Sequence, residues 1–138
     1  MSLFSSEVFT LATGRTERVV DITERCRRFL YDNDAYNGLL NVFVPHATMG
    51  VAVLETGAGS DDDLLAALGA ILPKDDRWIH RHGSPGHGRD HVLPAFIAPH
   101  ATLPVLDGGL ELGTWQSVTI VDTNVDNPDR QVRLSYLG

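Results

Sequence analysis

Apolar residues recur at helical spacing in two stretches of the chain. In "DITERCRRFL" (residues 21–30), Ile22, Cys26, Phe29 and Leu30 fall on one face, with Asp21 or Thr23 as the cap. In "SDDDLLAALGAILP" (60–73), Leu64, Leu65, Leu68, Ile71 and Leu72 form the stripe. Ser60 can cap this second helix, and Pro73 stops it. Asp61, Asp62 and Asp63 sit where the helix dipole favours negative charge. They read as a charged helix entrance, because no glycine turn or distal glutamate makes a calcium loop.

Most other apolar residues alternate with polar ones or form short Val- and Leu-rich runs, which predicts strands. The segments are "SEVFTLAT" ending at Gly14, "ERVVDI", "GLLNVFVP", "GVAVLE", "HVLPAFIA", "ATLPVLD", "LELGTWQSVTIVD" and "RQVRLSYL". Asp107-Gly108-Gly109 marks a tight hairpin. About eight short strands with two inserted helices predict an α+β fold, mainly β: an antiparallel β-sandwich with two helices packed on one side. With no repeat, linker or low-complexity tract, residues 1–138 read as a single domain.

Composition narrows the partners. The 138 residues are 43% hydrophobic and 21% charged, enough to bury a core without staples. The formal net charge of −7 argues against nucleic acid and against an anionic membrane surface. A small anion held in a local cationic pocket remains compatible with it. Cys26 is the single cysteine, so no intrachain disulfide forms; within an apolar helical face it reads as a small buried hydrophobe. No basic start with a long apolar core opens the chain, and no apolar run approaches the roughly 20 residues of a membrane span, so a cytoplasmic location is expected.

Three regions carry candidate chemistry. The first is "PHATMGVAVLETG". His46 follows a strand, and Glu55 ends the next; a break near Gly50 lets the two approach a common rim. By itself His46 also reads as an ordinary edge histidine. The second is "WIHRHGSPGHGRDH", which holds His80, His82, His87 and His91. His80 and His82 share a side in extended chain, a route to a metal pair. His87 and His91 would share a face only in a helix, against which Pro85, Gly86 and Gly88 argue. Asp90 can orient an imidazole. Lys74, Arg77, Arg81 and Arg89 add local positive charge that suits phosphate or carboxylate. The plainer reading is a solvated loop whose histidines do nothing specific. The third is "LGTWQS", where Trp115 and Gln116 can line a pocket, although a strand tryptophan is more often core.

In this order, the pieces "HATMGVAVLE", "DDDLLAALGAILPKDDRWIH", "GRDHVLPAF", "LPVLDGGLELGTWQSVTIVD" and "RQVRLSYLG" resemble the YjbQ family across essentially the whole chain. The family pattern is a strand ending in His-Thr-Thr, a strand ending in Glu, and an acidic helix leading to Pro. A histidine loop with an Ala-His element follows, and a Leu-Gly-Thr-Trp-Gln strand comes near the end. The last motif stands intact at 112–116.

The resemblance implies a β-sandwich assembled as a homotrimer, with a histidine cluster able to hold a divalent metal ion, Mg or Zn. It also implies a secondary thiamine-phosphate synthase activity, which joins a pyrimidine pyrophosphate to a thiazole phosphate. Residue by residue, it points to His46, His80 and His91 as the ligand set, and to Glu55 as general base or orienting carboxylate. Thr48, Trp115 and Gln116 fall on the remaining motif positions, and Arg77 or Arg89 is expected to neutralise the phosphate of a small phosphorylated substrate. Ala47 replaces the first Thr of His-Thr-Thr, Gly109 replaces an Arg, and "GSPGHGRD" replaces an Asn-rich approach. These departures point to a different ligand or a weaker form of the activity. A metal-dependent hydrolase of a phosphorylated metabolite, or a non-catalytic module binding a small anion or metal, also fits these residues. His82, His87 and His100 stay unassigned.

Overall fold

The structure is a computed structural model and describes residues 3–13 and 15–138. Gly14, expected to end the first strand, lies outside the described residues. The elements in order are β1 (Phe4–Ala12), β2 (Arg18–Asp21), α1 (Thr23–Asp32), β3 (Gly38–Phe43), β4 (Met49–Leu54) and α2 (Ser60–Ile71). A 3₁₀ turn (His87–His91), α3 (Leu93–Phe96), β5 (His100–Leu106), β6 (Gly109–Leu110), β7 (Ser117–Asp122) and β8 (Asp129–Leu137) follow.

Two antiparallel sheets face each other, a five-stranded one in the order β1-β8-β3-β5-β6 and a three-stranded one in the order β2-β7-β4. Leu40, Val42, Val105, Val132 and Leu134 of the larger sheet meet Met49, Val51, Val118 and Ile120 of the smaller. Burying each such side chain stabilises the fold by about 1.5–3 kcal/mol. Cys26, Phe29 and Leu30 of α1 join this core, as their spacing predicts. Burial pushes the Cys26 thiol up to about 12, so it stays protonated and inert.

Strand β7 is buried on both faces. Its Val121 points away from the main core into a second cluster with Leu68, Leu72 and Leu93, against which Leu64, Trp78 and Ile97 pack. Thus α2 and α3 cover the outer face of the small sheet. The Asp107-Gly108 hairpin forms with both residues at positive φ, as its sequence requires.

Three local expectations change. "HVLPAFIA" is not a strand: Pro94, with φ pre-set, sits in the first turn of α3 and fully buried Leu93 anchors it. Only Ala98 behaves as a strand neighbour, accepting from the Val51 N–H. "LELGTWQSVTIVD" breaks in the middle, where Gly113 N–H donates to Gln116 Oε1 and Gln116 N–H donates to Gly113 O. Trp115 therefore sits on a turn, 73% exposed, rather than in the core. Ser60 makes no cap bond, since Gly59 takes the cap position at φ 104. On α1, by contrast, Asp21 Oδ1 accepts from both the backbone N–H and the hydroxyl of Thr23.

Register decides which loops meet. Met49 lies opposite Asp122, and β8 begins at Asp129. The β3–β4 connection carrying His46 and Thr48, the β7–β8 connection from Thr123 to Pro128, and the histidine loop therefore gather at one end of the sandwich.

Candidate metal and anion site

The 3₁₀ turn brings His87 and His91 together despite the surrounding glycines; their Nε2 atoms are 2.8 Å apart. Gly86 makes the entry possible at φ 76, where a Cβ would lie 2.6 Å from Lys74 Cγ. Gly88 admits the preceding chain, because a Cβ there would stand 2.5 Å from His80 O and Trp78 Cβ. Trp78 holds that chain in turn by donating Nε1–H to Pro73 O at 2.9 Å. His80 is thereby pressed against the turn, with its ring centroid 3.9 Å from His91 and 5.3 Å from His87.

One ring nitrogen from each of His80, His87 and His91 lies within 4.8 Å of the others. His87 is oriented from behind: Asp126 Oδ2 is 2.7 Å from its Nδ1. A carboxylate at that distance keeps a proton on Nδ1 and leaves the Nε2 lone pair facing His91. Asp126 is itself fixed by the backbone N–H and hydroxyl of Ser84. Burial would raise the Asp126 carboxyl, but these Ser84 bonds and His87 bring it below the ordinary range. Asp90 is buried beside His87, accepting from Thr123 Oγ1 at 2.6 Å and from Asn124 Nδ2 at 3.2 Å.

His80 and His91 favour the neutral imidazole. Burial lowers His80, and the adjacent His82 and His87 lower it further. Burial lowers His91 as well, with His80 and His87 adding to it. His80 Nε2 is buried without a hydrogen-bond partner among the described residues. A buried, partnerless ring nitrogen beside two others that lie 2.8 Å apart is an arrangement that a shared cation satisfies. The donors are all imidazole nitrogen, which suits zinc and its neighbours; magnesium prefers oxygen.

A cavity of about 540 Å³ opens beside the cluster, lined by His82, His87 and His91 on one wall and by His46, Thr48 and Arg130 on the other. His46 thus shares the cavity but is not among the three clustered donors. Its Nε2 accepts from the Gln131 N–H at 2.9 Å, and burial followed by the Arg130 charge lowers its pKa. Arg130 is buried, donating Nε–H to Asp122 Oδ2 at 3.0 Å and Nη2–H to Asp122 Oδ1 and Thr48 Oγ1 at 3.1 and 2.8 Å.

Several expected residues are elsewhere. Glu55 follows the far end of β4, six residues from Met49 or about 20 Å along the strand. Trp115 is exposed, and Gln116 lines a different cavity with Asp21, Thr23 and Arg25. Arg77 is folded back on Asp75 through bonds of 2.9 and 2.7 Å. Arg89 is buried, paired with Glu17 and donating to Leu72 O. Neither arginine lines the cavity; Arg130 does. His100 is exposed at the start of β5, outside the cluster. From sequence His87 stayed unassigned, and neither Asp126 nor Arg130 stood out. The signal for Asp126 and Arg130 was "DTNVDNPDR", an Asp- and Asn-rich turn leading into the last strand.

No helix among the described residues is long and apolar enough to cross a membrane. Residues 7–138 match the family described as "UPF0047 protein YjbQ-like". The UPF0047 protein Rv2556c of Mycobacterium tuberculosis is 56% identical over 132 residues, covering 96% of this chain and 97% of the relative. A UPF0047 protein of Methanothermobacter thermautotrophicus is 29% identical over 139 residues, covering 100% of this chain and 94% of the relative. Among solved structures, a hypothetical protein from Aeropyrum pernix K1 superposes with a TM-score of 0.87 at 32% identity, covering 97% and 98% of the two chains. A YbjQ-like protein of unknown function from Sulfolobus solfataricus P2 shares the fold, with a TM-score of 0.93 at 23% identity and 100% and 99% coverage. By the match over nearly its whole length and by these relatives, the chain belongs to the YjbQ (UPF0047) family, whose function is uncharacterised.

Proposed function

We propose that the protein is a metal-dependent enzyme acting on a small phosphorylated molecule, with His80, His87 and His91 as ligands of a zinc-type ion. The observation that carries this is the partnerless buried Nε2 of His80 beside the close His87–His91 pair. Such an ion supplies Lewis acidity toward a phosphoryl oxygen. Asp126 keeps the proton on His87 Nδ1. Arg130 brings positive charge to the opposite wall, held in place by Asp122 and Thr48. His46 stays neutral with Nε2 engaged, which leaves it to shape and position rather than to donate to the cluster.

Within this class, the family resemblance favours the thiamine-phosphate synthase reaction. The thiazole nitrogen bonds to the pyrimidine methylene as the carbon–oxygen bond to pyrophosphate breaks, and pyrophosphate leaves with the electron pair. The attacking lone pair carries no proton, so the reaction needs no general base, in keeping with a Glu55 remote from the cavity. The proposed assembly is a homotrimer. The outer face of the five-stranded sheet, where Phe4 and Leu39 both neighbour Leu137, is the surface offered for it.

The test is to measure bound zinc in purified protein, then incubate it with both phosphorylated precursors, with zinc and with magnesium. The reading expects near-stoichiometric zinc, lost in His91→Ala, and thiamine phosphate above that variant's background. Product no higher than background removes the synthase assignment. Inorganic phosphate released from a single precursor indicates hydrolysis instead, and thermal stabilisation without turnover indicates a binding module. Light scattering of the native protein reports the trimer.

A further inference from the structure

A fourth imidazole stands beside the three. His82 follows His80 by two residues, and the two ring centroids lie 4.0 Å apart. Its centroid is 6.3 Å from that of His87. The side chain is exposed and lines the same cavity as His46 and Arg130.

The approach of this segment is built into the backbone. Gly83, next to His82, has φ 95, and a Cβ there would lie 3.0 Å from His87 Cγ and 3.1 Å from Asp126 Oδ2. The absent side chain lets the segment bearing His82 lie against the His87 ring and the carboxylate that orients it.

The ring spacing matches a single centre. With metal–nitrogen bonds of about 2.0–2.1 Å, each ring centroid stands roughly 3.2 Å from the ion, and tetrahedral centroids are then about 5 Å apart. The separations of His80 from His82, His87 and His91, of His87 from His91 and of His82 from His87 are 4.0, 5.3, 3.9, 4.8 and 6.3 Å, which straddle that value. The ligand atoms of His80, His87 and His91 already lie within 4.8 Å of one another, and His82 would have to swing its exposed ring toward them to reach the same ion. His87 and His91 are held by the turn and His80 by the chain that Trp78 anchors; His82 is exposed and outside the turn, free to withdraw.

We propose that His82 is an exchangeable fourth metal donor, which closes the site at rest and gives its position to an anionic oxygen of the bound molecule. This rests on the reading of His80, His87 and His91 as a metal site. It differs from an ordinary open three-imidazole site in what occupies the fourth position before substrate arrives: a tethered imidazole.

The experiment loads the full chain with zinc for X-ray absorption at the zinc edge and with cobalt for visible spectroscopy. Wild type, His82→Ala and His91→Ala are compared, with inorganic phosphate as the probe anion. The wild type is expected to show four imidazoles and His82→Ala three, with cobalt affinity at least about tenfold weaker in the variant, the lower end of what losing even an outer partner costs. Phosphate should lower the wild-type imidazole count from four to three. Equal counts and equal affinities in wild type and His82→Ala, with binding lost in His91→Ala, overturn the role of His82 alone. No binding by any of the three chains overturns the metal site and this proposal with it.

Discussion

The carboxylate of Asp126 lies 2.7 Å from His87 Nδ1, and this contact turns the opposite ring nitrogen toward His91. The two residues come from loops on different sides of β7, so neither loop alone can present His87 in this way. Asp126→Asn keeps the size but loses the charge that holds the His87 proton. It is expected to weaken zinc binding about 10- to 100-fold with little change in Tm, read by competition with a chelating dye. Unchanged affinity would show that His87 is not oriented through Asp126.

The pKa of His46 sets the sign of a pH effect on stability. Burial and Arg130 lower it below its ordinary value near 6.5, so between these values the unfolded chain binds more protons than the folded one. The His46 contribution is complete above about pH 6.5 and is lost as pH falls from there through the folded value. Thermal melts of metal-free protein should show Tm falling from about pH 7.5 to about pH 5, and the fall should be shallower in His46→Gln. Burial also lowers His80 and His91, so part of the fall persists in the variant.

Arg130 and Asp122 form a buried pair, 2% and 0% exposed. Removing one partner strands the other charge in the interior. Asp122→Ala is expected to cost about 3–5 kcal/mol in urea unfolding. A cost below about 1 kcal/mol, the range of surface pairs, would mean that water reaches the guanidinium freely.

Two glycines offer opposite outcomes for the same substitution. Gly88→Ala meets His80 O and Trp78 Cβ at 2.5 Å, so the turn and the His80 segment must part. Stability should fall by about 1–3 kcal/mol and zinc affinity with it. Gly69 lies inside α2, and a methyl group there would meet nothing within 4 Å. Gly69→Ala should therefore add up to about 1 kcal/mol and leave zinc binding alone. Chemical denaturation of both variants beside wild type checks the pair.

Glu55→Gln should leave zinc affinity and turnover within about a factor of two of wild type, because the carboxylate is a strand length away from the cavity. A steep loss of turnover in a variant that keeps the wild-type fold and assembly would place Glu55 in a site completed by a neighbouring copy.

Periodicity along the chain was enough to find α1, α2, the hairpin at Asp107-Gly108 and most strands. These depend on neighbouring residues: which side of a helix or strand is apolar, and which residues tolerate positive φ. "HVLPAFIA" misled because a short apolar run buries equally well as helix or strand, and the packing of Leu93 against Val121 decided between them. Trp115 misled for the converse reason, since the Gly113–Gln116 turn directs a large apolar side chain outward.

The histidine-rich loop was visible as candidate chemistry from its residues alone, and the family motif order pointed to His80 and His91. The meeting of His87 with them, the carboxylate behind it and the arginine across the cavity came from pairings between distant segments. Met49 opposite Asp122 and the start of β8 at Asp129 bring three loops to one end of the sandwich, and the same strand length carries Glu55 to the other. Local chemistry chooses the elements; sheet register and the close approach allowed at Gly83 and Gly88 choose which side chains face one another, because those distances are set only when the whole core packs.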